Sequence, residues 1–374
     1  MPAPSSSPST RSLSPVPTPA KEPALDVEGL SRYARQIMLP GFGVAGQHSL
    51  TAASVLVVGA GGLGSPVIEY LAAAGVGRLG LVDDDVVDVS NLQRQVVHGQ
   101  GQLGVLKVDS ARARVAELNP GVQVETISVR LEAGNALEML RGYDLVVDGS
   151  DNFATRYLVT DACEMLGIPL VWGAVLRFSG QVCTFWPGRG PGYRDLFPEP
   201  PDAEAAPSCA EVGVLGPLCG VIGSTMAVEA LKLLAGVGEP LLGRLQNYDA
   251  LSGQWRTVRF AQDPDRAPAT ELSDDYAEIC AAPGPKPVGI RLEDLTPGSY
   301  RLVDIRPDAV ESSIQGALVV PRSEVESLLS EDSLLGFDVV LVCATGSRSA
   351  AAALALRAAG NDRVFSLEGG ARNL

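Results

Sequence analysis

At 374 residues the chain exceeds what one ordinary hydrophobic core supports, so two domains are expected. A hydrophobic share of 46% with a charged share of 20% fits a soluble globular protein. A net charge of −15 gives a surface that repels nucleic acid and anionic lipid, so neither is expected as a partner.

Residues 1–24 are mostly Pro, Ser and Thr, cannot bury enough apolar surface to offset ordering entropy, and are read as a disordered tail. No basic, apolar and small-residue signal opens the chain, and six scattered cysteines without a Cys-x-x-Cys pair fit a reducing, cytoplasmic setting. A helix is expected around 30–39. Ser54–Val58 (SVLVV) reads as a buried strand closed by the glycine run 59–64, with a helix over 65–74 and a strand at Arg78–Val82. Lys107–Leu118 reads as helix, 122–128 as strand, 136–140 as helix and 144–148 as strand. Strands alternating with helices imply α/β architecture with a Rossmann-like, doubly wound parallel sheet. Segments 180–186 and 256–260 read as strands of an antiparallel extension. The apolar stretch 212–238, interrupted by Pro217, Glu229 and Lys232, reads as a buried core helix rather than a membrane span.

Periodicity then fades, giving a linker at 263–287 between a first domain, 25–262, and a second, 288–374. In the second, Tyr300–Asp304, 339–343 and 364–366 are candidate strands and 349–360 is the clearest helix.

Gly59, Gly61, Gly62 and Gly64 follow a strand and open a helix, so the backbone can approach a phosphate and the helix amides favour the anion. Asp83 ends the next strand, where a carboxylate can accept ribose hydroxyls. These residues alone fit a nicotinamide-dependent oxidoreductase equally well. The residues that follow favour phosphoryl chemistry: Asp83-Asp84-Asp85, then Ser90-Asn91-Leu92-Gln93-Arg94-Gln95, then Lys107, then Asp148-Gly149-Ser150-Asp151-Asn152 with Arg156. Cations offset charge spreading over the α-phosphate and pyrophosphate, and a carboxylate can hold Mg²⁺. Upstream lies Arg32-Tyr33-Ala34-Arg35-Gln36.

Together these motifs, from Arg32 to about Phe260, resemble the MoeB/ThiF family of adenylyltransferases, which is related to ubiquitin-activating enzymes. The resemblance implies the ThiF/MoeB fold, with ATP as cosubstrate and Asp83 on its ribose. Arg94 and Lys107 would contact its phosphates, and Asp151 would hold Mg²⁺ through ATP. Asp85, Asn91, Gln93 and Asn152 would belong to the same pocket. Arg35 would reach into a neighbouring subunit, which makes a homodimer. The implied partner is a ubiquitin-like sulfur-carrier protein ending in Gly-Gly, activated as an acyl-adenylate.

Many relatives hold zinc with two Cys-x-x-Cys pairs. Here those places read Gly192-Tyr193-Arg194-Asp195 and Ala277-Glu278-Ile279-Cys280, so no zinc is expected. The stretch 193–201 resembles a zinc-free, MoeZ-like branch of the family. Cys209 sits on what the family uses as a crossover loop, where a cysteine can form an acyl thioester or persulfide link; a small loop residue without a covalent role fits equally. Cys163, Cys183 and Cys219 read as plain core residues.

Cys343, followed by Gly346, Arg348 and Ser349, forms a strand–loop–helix start where loop amides and a helix N-terminus favour a thiolate. This resembles a rhodanese active loop, and Asp304 and Arg306 resemble that domain's strand pair. The resemblance implies a small α/β rhodanese-like domain that takes sulfur as a persulfide on Cys343 from a donor such as thiosulfate or a cysteine desulfurase. The carrier's carboxylate would become a thiocarboxylate. Alternatives are an adenylyltransferase with an inactive rhodanese-like domain, and a non-catalytic scaffold.

Overall fold

A computed structural model describes residues 25–198 and 213–273, Tyr276, and parts of 289–373. The chain forms two compact units that part between residues 280 and 281.

The first unit is built on an eight-stranded sheet of β1 (Ser54–Val58), β2 (Arg78–Val82), β3 (Gln123–Ile127), β4 (Leu145–Asp148), β5 (Leu170–Leu176), β6 (Ser179–Phe185), β7 (Arg244–Asp249) and β8 (Gln254–Arg259), in the order β3-β2-β1-β4-β5-β6-β7-β8. Pairing is parallel from β3 to β5 and antiparallel from β5 to β8. The central strands are near-continuous Val and Leu because both of their faces are covered. In β1, Val55 and Val57 enter one core, with the helices Gly64–Ala74, Lys107–Leu118 and Gly216–Ala235. Leu56 and Val58 enter the other, with Ala133–Leu140 and Phe153–Leu166. That division is what a doubly wound sheet requires.

Chain order reverses beside β1: β2 and β3 lie on one side and β4 on the other. Val58 pairs with Val82 and with Asp148, so the C-terminal ends of three strands are level at this switch point. A crevice forms there, where open α/β sheets bind ligands.

Several sequence expectations are corrected. The helix expected at 30–39 is two short helices, Val27–Arg32 and Ala34–Ile37. They part at Tyr33, whose hydroxyl accepts from Asn119 Nδ2 at 2.9 Å and whose ring lies against Gly75. As the sequence leads one to expect, Gly216–Ala235 is a core helix despite the length and composition of a membrane span, with Leu218, Ile222, Met226 and Leu234 in the core. Its buried Glu229 is satisfied by Lys232, by Thr184 and by the Leu241 amide. The expected linker starts too early, because Asp263, Arg266, Ala269 and Tyr276 are tied to the first unit. Arg266 donates to Glu164 at 2.7 and 3.1 Å and to Asp195 at 2.8 Å. Arg194 and Tyr276 converge on Asp161, which is 3% exposed. Beside them Trp172, Phe185, Tyr193, Phe197 and Tyr157 pack edge to face and tilted. These ion pairs and rings hold together the corner around 192–197.

The second unit is a five-stranded parallel sheet of β9 (Gly289–Ile290), β10 (Tyr300–Asp304), β11 (Leu318–Val319), β12 (Asp338–Val342) and β13 (Val364–Leu367), ordered β11-β10-β12-β13-β9. Val339 and Leu341 face one core with the Ser347–Ala358 helix; Val340 and Val342 face another with Phe365.

Candidate functional site

The crevice at the switch point is an open cleft of about 300 Å³. Its floor is the glycine loop, which several contacts hold from behind. The amide of Gly59 donates to Val82 O, and the amide of Ala60 to Asp83 Oδ2 at 2.8 Å. Ser65 donates twice to Gly61 O, through its amide and its hydroxyl. Gly59 has φ +88°, a conformation that side chains disfavour, and a Cβ on Gly64 would stand 1.9 Å from Gly59 O. A Cβ on Gly61 would meet only Gln95 Nε2, at 3.5 Å. Thus Gly64 is required by packing, whereas Gly61 leaves the cleft side open.

Gly59, Gly61, Gly62 and Asp83 line the cleft, as do Asp85, Arg94 and Lys107. Asp151 and Asn152 line it from the β4 side. Lys107 Nζ pairs with Asp85 Oδ2 at 2.7 Å; the lysine side chain is 7% exposed and the aspartate 69%. Arg94 is set by a 3.1 Å bond to Ser90 O. Burial pushes the Asp83 carboxyl above its ordinary value, against the pull of Lys107 and of the Ala60 and Asp85 amides. Asn152 caps Phe153–Leu166 by accepting from Thr155 N at 2.8 Å. The oxygens of Asp83, Asp84 and Asp85 lie within 4.8 Å of one another, but Asp83 and Asp85 already serve the loop amides and Lys107.

Other sequence-named residues fall elsewhere. Gly64 lies beneath the loop. Asn91 and Gln93 do not line the cleft: Asn91 Oδ1 accepts from the Asp88 amide in a capping box, and Gln93 is exposed with its carbonyl against Gly216. Arg35 is exposed on the Ala34–Ile37 helix, outside its own chain's cleft. Cys209 and Gly346 lie outside the described residues, as does the Arg348 side chain.

The cleft also contains residues to which the sequence reading gave no role. Arg130, just beyond β3, lines it, as do Gln95, Ser150 and Arg156. Arg156 is 6% exposed and its guanidinium lies over Phe153 and Trp172. Beside it Asp148 is fully buried, and that burial raises its pKa. Gln95, Ser150 and Arg156 lie within the motifs around Arg94 and Asp151, so a signal exists for them; Arg130 follows a strand with no motif around it. Cys219 is more than core filling, since it lines the cleft and its Sγ would be 2.9 Å from a Cβ on Gly62. Burial pushes the thiol of Cys183 up to about 12 and that of Cys163 well above the ordinary value, so both stay protonated as core residues.

In the second unit Cys343 directly follows β12 and is 3% exposed. Its Sγ accepts from Ser349 N at 3.4 Å and Ser349 Oγ at 3.3 Å, at the start of Ser347–Ala358. Ser349 Oγ in turn meets Ser366 Oγ at 2.8 Å. Buried Asp304 takes Arg306 through both oxygens. Hydroxyl and amide donors aimed at one sulfur can stabilise a thiolate or persulfide.

A nucleotide cleft on this sheet and a thiol at a helix start define a two-part chain, and comparison with known proteins assigns both parts. The chain belongs to the ThiF family, whose model matches residues 33–269, and a rhodanese-like domain matches residues 291–373. It is 45% identical over 382 aligned residues to a protein of Mycobacterium tuberculosis named "Probable adenylyltransferase/sulfurtransferase MoeZ", covering 96% of this chain and 95% of that one. It is 55% identical to the sulfur carrier protein adenylyltransferase of Thermus thermophilus, over 68% of this chain and 97% of the relative. A crystal structure of E. coli MccB with ATP shares the fold at TM-score 0.58 and 20% identity, covering 67% of this chain and 76% of that one.

Proposed function

We propose that this chain adenylates the C-terminal glycine of a ubiquitin-like sulfur-carrier protein with ATP, releasing pyrophosphate, and that its second unit supplies sulfur for a thiocarboxylate. The observation that carries this reading is the joint presence of the glycine loop, Asp83, Arg94, Lys107 and Asp151 around one cleft at the sheet's switch point.

The loop amides and the start of Gly64–Ala74 receive the phosphates, and Asp83 the ribose. Arg94 and Lys107 offset the charge that grows on the α-phosphate and on departing pyrophosphate as the carrier carboxylate attacks. Asp151, exposed at the cleft wall, would hold the Mg²⁺ that accompanies ATP and neutralises phosphate charge. Arg35, exposed outside its own cleft, acts in the neighbouring subunit of a homodimer. Cys343 takes sulfur as a persulfide from thiosulfate or a desulfurase, held by Ser349. The outer sulfur attacks the carrier acyl-adenylate and expels AMP, leaving an acyl disulfide. A thiol, with Cys209 as the candidate covalent relay, cleaves the S–S bond to release the thiocarboxylate as a disulfide forms with Cys343. The setting is the cytoplasm, where the thiols stay reduced.

The test is carrier-dependent ATP–pyrophosphate exchange. Lys107→Ala and Arg94→Ala each lower the rate by about 10²–10³, the cost of losing one preorganised charge partner. Exchange unchanged in both variants would remove the reading.

A further inference from the structure

His98 is buried at 6% exposure, and neither the nucleotide chemistry nor the sequence motifs give it a role. Its Nε2 lies 2.9 Å from the carbonyl oxygen of Ala60, in the glycine loop. Its Nδ1 lies 2.8 Å from Ser110 Oγ, on the Lys107–Leu118 helix. We infer that His98 is a positioning residue that holds the Ala60 carbonyl away from the bound phosphates and registers the glycine loop against the helix carrying Lys107.

The chemistry fixes its protonation. A carbonyl only accepts, so Nε2 carries the hydrogen. In the neutral ring Nδ1 is then bare, and the Ser110 hydroxyl donates to it. Burial, assisted by the Lys107 charge, lowers the His98 pKa and favours that neutral form. The peptide units flanking Ala60 are thereby held from two sides, the amide by Asp83 and the carbonyl by His98. Without the histidine that carbonyl is free to rotate and present negative charge where the loop must attract an anion.

This inference rests on the proposed ATP chemistry, and two substitutions separate its parts. His98→Gln keeps a donor near the Nε2 position, whereas His98→Asn keeps a polar group near Nδ1 and loses the bond to Ala60. Calorimetric ATP binding by the full chain is predicted to weaken about tenfold in His98→Asn, as expected for roughly 1.4 kcal/mol of lost loop restraint. His98→Gln recovers most of that affinity, and the maximal exchange rate at saturating ATP stays within about threefold in both. Equal ATP affinity in wild type, His98→Asn and His98→Gln would overturn the inference, as would a loss confined to the maximal rate. Should both variants melt lower by the same amount and bind ATP equally, His98 is structural only. Wild type that binds ATP but never exchanges pyrophosphate defeats the adenylation reading while the affinity comparison still decides the role of His98.

Discussion

The three glycines Gly61, Gly62 and Gly64 should fail for different reasons when each becomes alanine. At Gly64 the new Cβ would stand 1.9 Å from Gly59 O, a backbone atom that cannot yield without moving β1 or the helix. Overpacking of this kind costs about 1–3 kcal/mol or more. At about 2–4 °C per kcal/mol for a domain of this size, Gly64→Ala melts roughly 2–12 °C lower. At Gly62 the contact is 2.9 Å to the buried sulfur of Cys219, so the loss is smaller and Cys219→Ala restores it. At Gly61 the nearest atom is Gln95 Nε2 at 3.5 Å, an ordinary contact, so Gly61→Ala keeps its melting temperature. It nevertheless loses ATP affinity, because the added methyl stands where the phosphates approach. Calorimetry of the free variants and ATP titration of each measure both effects. Equal melting losses at Gly61 and Gly64, or full ATP binding by Gly61→Ala, would refute this division of labour.

Two further outcomes follow from the ion-pair corner and the thiol. Burial alone would raise the carboxyls of Glu164 and Asp195, but hydrogen bonds from Arg266 and backbone amides reverse this and leave both below their ordinary values. Their stabilisation is therefore full above the unfolded carboxylate range, about pH 4–4.5, and is lost as pH falls through the lower folded values. Arg266→Gln should melt about 6–20 °C lower at neutral pH, the range for breaking a buried pair, and should lose that part of the acid dependence; an unchanged pH slope contradicts the assignment. Cys343→Ala should abolish thiosulfate-to-cyanide sulfur transfer while carrier-dependent pyrophosphate exchange continues, and transfer surviving the change would exclude this thiol.

The sequence disclosed the Rossmann-like half because its signals are local. Branched apolar runs such as Ser54–Val58, glycines at fixed spacing, and carboxylates at strand ends each depend on a few neighbouring residues. The helix Phe153–Leu166 and the strand β7 escaped because their residues mix polar and apolar types under tertiary control. Arg266 could not be foreseen at its place: its partners Glu164 and Asp195 are 102 and 71 residues away. The cleft was legible wherever a motif named the residue, as with Arg94 and Lys107. It was illegible where only folding brings the side chain in, as with Arg130, and where the role is to hold another group, as with His98. Asn91 shows the converse, since its place in a motif is accounted for by a capping box beside the cleft.

The most direct test is mass spectrometry of a Gly-Gly carrier incubated with the chain, ATP, thiosulfate and a thiol reductant. The account predicts an adenylate on the terminal glycine, converted to a thiocarboxylate with wild type but left as the adenylate or its hydrolysed acid with Cys343→Ala. A panel of Gly-Gly carriers that all remain unmodified with wild type would contradict it.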